Sequence, residues 1–351
     1  MNKFTLKIIL LCLVSGLLGA VLVFIFLESS ATVVIKETKQ VVYEESISEI
    51  IKESSKSIVT ILASANKPMG TGVIISENGY ILTHSRNIYG NKIQTKEEKE
   101  FLITKTIKDP DSDLVILIID NPDNIVFQPM VIQRSNNITA GQRIVVIGNS
   151  FEQWDPIIMT GIITKTGKDM TYNPNIIQDF NIEIDTFISS KDSGGALLNL
   201  SGELLGITIP STEAKKGSAI PTYNINAILK SLDTFGEIRH VNLGVTYEML
   251  NADKEIDKSQ PIHEGAKIIN ISPNSIAAEY DIQKNDIIMK IDKYDISHEN
   301  TLYQVLRNFI PGETIQLKIL RYNEEAQKNI ENKSFNEILE EQTITIDVVL
   351  K

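Results

Sequence analysis

The segment Lys191-Asp192-Ser193-Gly194-Gly195 lies between two strand-like runs and carries the residue best suited to nucleophilic chemistry. A serine on a tight turn suits that role: the glycines let the backbone crowd a reacting carbonyl, and the serine N–H can donate to an oxyanion. S-G-G alone is a common turn, so its weight comes from company. "DPDSDLVILII" (109–119) is an acidic turn feeding an apolar strand, and "GYILTHSR" (79–86) is a strand running into His84 and Arg86. Hydroxyl, carboxylate and imidazole are the groups from which nucleophilic hydrolysis is built.

Other chemistries find little support. The single cysteine, Cys12, excludes an intramolecular disulfide and a multi-thiolate metal site. The four histidines, at 84, 240, 263 and 298, include no pair with H-E-x-x-H spacing, so neither a metal nor another cofactor is expected. A net charge of -11 without a basic patch argues against nucleic acid as a partner. With 42% hydrophobic and 23% charged residues, the 351-residue chain can bury cores for about two domains.

Those groups need a frame. Residues 8–27, "IILLCLVSGLLGAVLVFIFL", form an uncharged run of membrane-spanning length, with Lys3 and Lys7 before it and Glu28 after it. The charge bias places the N-terminus in the cytoplasm and the bulk of the chain outside it, as a single-pass protein at the cell membrane. A cleaved signal peptide is the alternative, although its apolar region is normally about 7–15 residues. Residues 31–45 read as an extended stalk. "ISEIIKESS" then puts Ile47, Ile50 and Ile51 on one helical face.

From Ser57 to about 212, short Ile/Val-rich runs alternate with turn signals such as Glu77-Asn78-Gly79, the pattern of an all-β barrel or sandwich. "TYNINAILKSLDTF" (222–235) is a helix that closes this unit. A second pattern begins near 240: strand "GAKIINIS", short helix "SIAAEYDI", strand pair "KNDIIMKIDKYDI", amphipathic helix "ENTLYQVLRNF" and two closing strands. A polar stretch near 323–342 reads as an enlarged, partly helical hairpin tip.

The order of these motifs, with "IVVIGNSFEQWDPIIMTGIITKTGK" and "GSAIPTYNI" at the expected places, resembles the HtrA/Deg family of trypsin-like serine proteases. The likeness spans residues 46–351. It implies a mainly β fold: a trypsin-like double β-barrel (46–236), then an α+β PDZ domain (237–351), after a membrane anchor (1–30) and a stalk (31–45). It also implies homo-trimers. In that family the strand G-Y-I-L-T is followed by two residues and then the catalytic base histidine. Here His84 and Ser85 follow Thr83, and Arg86 takes the base position. The orienting acid matches Asp113 and the nucleophile Ser193. The oxyanion hole maps to Lys191, Asp192 and Ser193, with Lys191 in place of the glycine of G-N-S-G-G.

Both departures bear on activity. Arginine, with a pKa above about 12, cannot take the serine proton. Beside Asp113 it is expected to form a salt bridge instead. Loss of a triad base lowers turnover by on the order of a million-fold in one well-studied protease. A lost oxyanion donor costs about 2.7–4 kcal/mol. Strand alternation puts positions 84 and 86 on one side but roughly 6–7 Å apart, so His84 reads as a polar residue at the strand end. The expectation is a defective protease domain. The alternative is an active endopeptidase using Ser193, Asp113 and a displaced His84.

The PDZ resemblance implies a binding module in which a peptide adds to a sheet edge and backbone N–H groups capture its carboxylate. Asn242, Leu243, Gly244 and Val245 match the family's carboxylate-binding loop, and Leu302, Val305 and Leu306 would flank the groove. The expected partners are peptides or unfolded proteins with apolar C-termini. Core packing is the competing reading for the three helix residues.

Overall fold

The computed structural model describes residues 47–133, 138–149, 156–166, 182–213, 216–250, 263–297, 300–322 and 341–351. The expected membrane span, the stalk and nearly all of the polar tip lie outside the described residues. Among the described residues no helix is long and apolar enough to cross a membrane. The first described element is helix α1 (47–54), with Ile47, Ile50 and Ile51 half-buried and Ser48, Glu49 and Lys52 exposed. Residues 53–351 form one compact unit.

The Ile/Val-rich runs become two closed barrels. The first contains β1 (Ile58–Leu62), β2 (Pro68–Ile74), β3 (Tyr80–His84), β4 (Lys92–Gln94), β5 (Glu100–Lys108) and β6 (Leu114–Ile119), in the order β1-β2-β3-β6-β5-β4. The second contains β7 (Arg143–Asn149), β8 (Pro156–Lys165), β9 (Ile182–Ile184), β10 (Ala196–Leu198), β11 (Leu204–Glu213) and β12 (Lys216–Pro221), in the order β10-β11-β12-β9-β8-β7. β-Branched side chains suit a pleated, half-buried surface, and closure leaves no open strand edge. Val59, Ile61, Ile81 and Leu117 fill the first core; Ile144, Val146, Ile163 and Leu197 fill the second.

Helix α2 (Ile225–Phe235) follows the second barrel. The last unit contains β13 (Val245–Leu250), β14 (Gly265–Ile271), helix α3 (Ile276–Glu279), β15 (Ile287–Ile291), β16 (Tyr294–Asp295), helix α4 (Leu302–Leu306), β17 (Thr314–Tyr322) and β18 (Glu341–Val349). Its sheet runs β13-β14-β15-β17-β18, with β16 on β15, so β13 is an edge. Helix α4 starts at a capping box, where Thr301 and Gln304 satisfy each other's backbone N–H. It is shorter than the 299–309 pattern suggested, and Phe309 packs on the core from beyond its end.

Candidate active site

Ser193 sits where the two barrels meet. Its carbonyl accepts from the Thr71 N–H (2.9 Å) and from Asn87 Nδ2 (3.0 Å), both from the first barrel's side. Asn87 also donates to Thr83 Oγ1 (2.9 Å), which in turn donates to the Thr71 carbonyl (2.7 Å). From the second barrel, Thr208 Oγ1 donates to the Asp192 carbonyl (2.6 Å) and accepts from the Gly195 N–H (2.9 Å). The nucleophile turn is therefore fixed from both sides. Ser193 itself has 0% of its surface exposed.

The structure corrects the expectation for His84. Its Nδ1 lies 3.2 Å from Ser193 Oγ. Strand alternation fails as a guide because β3 ends at this residue and the chain enters a 3-10 turn, Ser85–Asn87. His84 caps that turn, Nδ1 accepting from the Arg86 N–H (3.2 Å), while Arg86 itself is exposed. With Nδ1 accepting, this bonding assigns the ring proton to Nε2. Burial lowers the His84 pKa most; Asp113 opposes the shift, and the charges of Arg86 and Lys108 add to it. The imidazole is thus neutral near pH 7, with a lone pair shared between an amide and the serine.

The expected Arg86–Asp113 salt bridge is also corrected. Asp113 accepts from Ser85 Oγ (2.9 Å) and faces Lys108 at 4.0 Å, and its side chain is 61% exposed. The β3–β6 register explains this: His84 pairs with Leu114, and the Ser85 N–H reaches the Asp113 carbonyl (2.7 Å), so Ser85, not Arg86, is the carboxylate's neighbour. In the oxyanion segment, the Lys191 N–H donates to Ser189 Oγ (3.2 Å) and the Asp192 N–H to the Ser189 carbonyl (3.1 Å). The Asp192 carboxylate is buried and accepts from Ser189 Oγ (2.6 Å). Two of the three amides are turned to partners within the loop.

Residues 70–207 match the trypsin-like peptidase domain and residues 241–331 match the PDZ domain. The chain carries a trypsin-like peptidase domain followed by a PDZ domain, and is similar to proteins of the HtrA/Deg family. It is 28% identical over 272 residues to the periplasmic serine endoprotease DegP of Escherichia coli (strain K12), a match covering 75% of this chain and 56% of that protein. It is 29% identical over 262 residues to the periplasmic pH-dependent serine endoprotease DegQ of the same strain, covering 72% and 56%. The chain thus spans just over half the length of these curated relatives. Among solved structures its fold is like that of the HtrA-type protease AlgW with tripeptide, with a TM-score of 0.58, 23% identity, and coverage of 87% of this chain and 97% of that one.

In this chain the PDZ domain is docked onto the acidic turn that carries Asp113. His240 Nε2 lies 2.5 Å from Asp109 Oδ1, with both side chains nearly enclosed. Burial works against the Asp109 carboxylate, but the His240 hydrogen bond and charge, with donors from Ser112 and the Asp111 amide, hold it below the usual carboxylate range. Two residues along, Asp111 pairs with Arg307, which follows α4 and stacks 4.4 Å over the Tyr303 ring. These contacts were not foreseen. Aspartate and partner lie 131 and 196 residues apart, and no local pattern links them.

The expected peptide-site residues are brought together, but not as an open groove. Leu243, Val245, Leu302, Val305 and Leu306 are all buried in one core cluster. The Leu243 and Gly244 carbonyls accept from Ala277 (2.9 Å) and Ser272 (2.8 Å), and Asn242 Oδ1 accepts the Gly244 N–H (2.8 Å). Among the described residues no group of His, Cys, Asp and Glu is placed to hold a metal.

Proposed function

We propose that this chain is a membrane-anchored, extracytoplasmic HtrA-like protein whose protease domain is catalytically defective, and that it acts by binding peptides or unfolded proteins through its PDZ domain. The observation that carries the reading is the enclosed Ser193, set against a histidine that no carboxylate orients, while the Lys191 amide is engaged by Ser189. A base must be oriented, and an oxyanion needs convergent donors; Asp113 bonded to Ser85 rather than to His84, and loop amides engaged by Ser189, support the defective reading. Arg86 at the family's base position supports the same reading. Anchoring rests on residues 8–27, and assembly as a homo-trimer follows from the family likeness. The chromatographic mass of the detergent-solubilised chain tests assembly, and carbonate extraction of membranes tests anchoring.

A second reading has one observation in its favour. The 3.2 Å contact gives Ser193 a neutral imidazole able to accept its proton, so a Ser193–His84 dyad is the active alternative. A fluorophosphonate probe separates the two without knowledge of the substrate. The defective reading expects no labelling and no casein cleavage. Labelling that disappears in Ser193→Ala establishes the dyad.

A further inference from the structure

We infer that Tyr247 determines which peptides the PDZ site accepts: it fills the space between β13 and α4 that a ligand's last side chain would enter, limiting the site to C-termini that end in a small residue. The inference rests on the peptide-binding reading above and narrows its expected ligand from apolar to small C-termini.

Side chains alternate along a strand, so Val245, Tyr247 and Met249 share one face of β13. Val245 and Tyr247 are buried on that face and Met249 packs against the same cluster as Leu302, Val305 and Leu306 of α4. Tyr247 is 2% exposed, and its hydroxyl accepts the Tyr303 N–H at 3.0 Å. The side chain therefore crosses from the edge strand to the first turn of the helix. That N–H is one of the first-turn donors a helix cannot satisfy internally. The phenol takes the volume and also the polar group that a bound residue would otherwise meet.

The two ends of the site differ in how readily they open. Asn242 is exposed, and its neutral amide oxygen holds the Gly244 N–H at 2.8 Å. A peptide carboxylate is the stronger acceptor and can replace it. Removing Tyr247 from its place would expose a large ring and strand the Tyr303 N–H. It would also disturb the Tyr303 ring on which Arg307 stacks while paired with Asp111 of the protease domain. The carboxylate end yields and the side-chain end does not. A terminal Ala or Gly is compatible with both; Val or Phe is not.

The test is fluorescence anisotropy on the full chain with labelled decapeptides identical except for a last residue of Ala, Val or Phe. The wild type is expected to bind the Ala-ended peptide at least tenfold more tightly than the Phe-ended one. Tyr247→Phe, which keeps the ring, should preserve that order, and Tyr247→Ala should reverse it. A wild type that prefers the Phe-ended peptide overturns the inference alone and leaves the PDZ reading standing. That comparison decides the matter even where Tyr247→Ala fails to fold. Absence of binding by every peptide to every folded form overturns the peptide-binding reading and this inference with it.

Discussion

His84 Nδ1 lies 3.2 Å from Ser193 Oγ, yet the nearest carboxylate, Asp113, is bonded to Ser85 rather than to the imidazole. Nucleophile and imidazole are close, while the carboxylate is bonded elsewhere. An orienting acid fixes the tautomer and stabilises the imidazolium, and aligned amides receive the oxyanion. Here the imidazole is fixed by the Arg86 amide, and the Lys191 amide is used by Ser189. The barrel junction around Ser193 is nevertheless held by hydrogen bonds through Thr71, Asn87 and Thr208, although Asn87 Oδ1 and Asp192 Oδ1 are buried without partners.

The first prediction concerns repair. On the defective reading, Arg86→His alone supplies an imidazole at the position the family likeness gives to the base, but leaves the loop amides turned inward. Arg86→His with Lys191→Gly gives the turn the freedom to realign, and a regained oxyanion donor is worth about 10²–10³ in turnover. The double variant is therefore expected to hydrolyse casein on the order of 10²-fold faster than Arg86→His. Equal rates would show that the Lys191 amide does not limit the site.

The second concerns the His84 titration. Because burial, Arg86 and Lys108 lower its pKa and Asp113 opposes them, Lys108→Ala should raise the value and Asp113→Asn should lower it further. The unfolded chain takes up the proton first as pH falls. Stability therefore rises with pH between the folded value and about 6.5 and is flat above it. NMR titration of the imidazole checks the direction, and His84→Gln should remove the corresponding slope. A His84 pKa above 6.5 would contradict the burial seen here.

The barrels and the PDZ domain were legible because period-2 apolar runs and a fixed motif order survive in a single sequence. The expected double barrel is visible in β1–β12, and its junction lies at the D-S-G-G turn. The site itself was legible only as a set of positions. Which of His84 and Arg86 faces Ser193 depends on where β3 stops, and a turn of three residues reverses the answer. Asn87 gave no signal, because a polar residue after a motif reads as a loop until its complete burial is seen. Tyr247 gave no signal in the sequence either, and its burial and its bond to the Tyr303 N–H bring it to notice.

The third prediction concerns the interdomain pair. Removing one partner of a buried hydrogen bond leaves the other polar group unsatisfied, at a cost of about 1–3 kcal/mol. Asp109→Ala is expected to destabilise the docked arrangement by that order at pH 7. The Asp109 pKa is depressed in the folded chain, so its contribution is complete above about 3.9 and is lost as pH falls through the folded value. Thermal unfolding from pH 7 to pH 3 should show the gap between wild type and Asp109→Ala closing in acid. A gap that stays constant would mean the carboxylate charge does not support the docking.

The last prediction uses two glycines with the same backbone and different surroundings. Gly194 has φ +85°, and a Cβ there would lie 2.1 Å from the Thr71 carbonyl oxygen and 2.3 Å from Thr83 Oγ1. Gly141 has φ +84° and open space around the same position. Alanine at Gly141 therefore carries only the left-handed backbone cost, about 1–2 kcal/mol. Alanine at Gly194 adds a clash with main chain that β2 holds in register, and a total loss above about 4 kcal/mol is expected. Urea unfolding of both variants measures the difference directly. If the two losses agree within about 0.5 kcal/mol, the junction between the barrels is looser than its hydrogen bonds indicate.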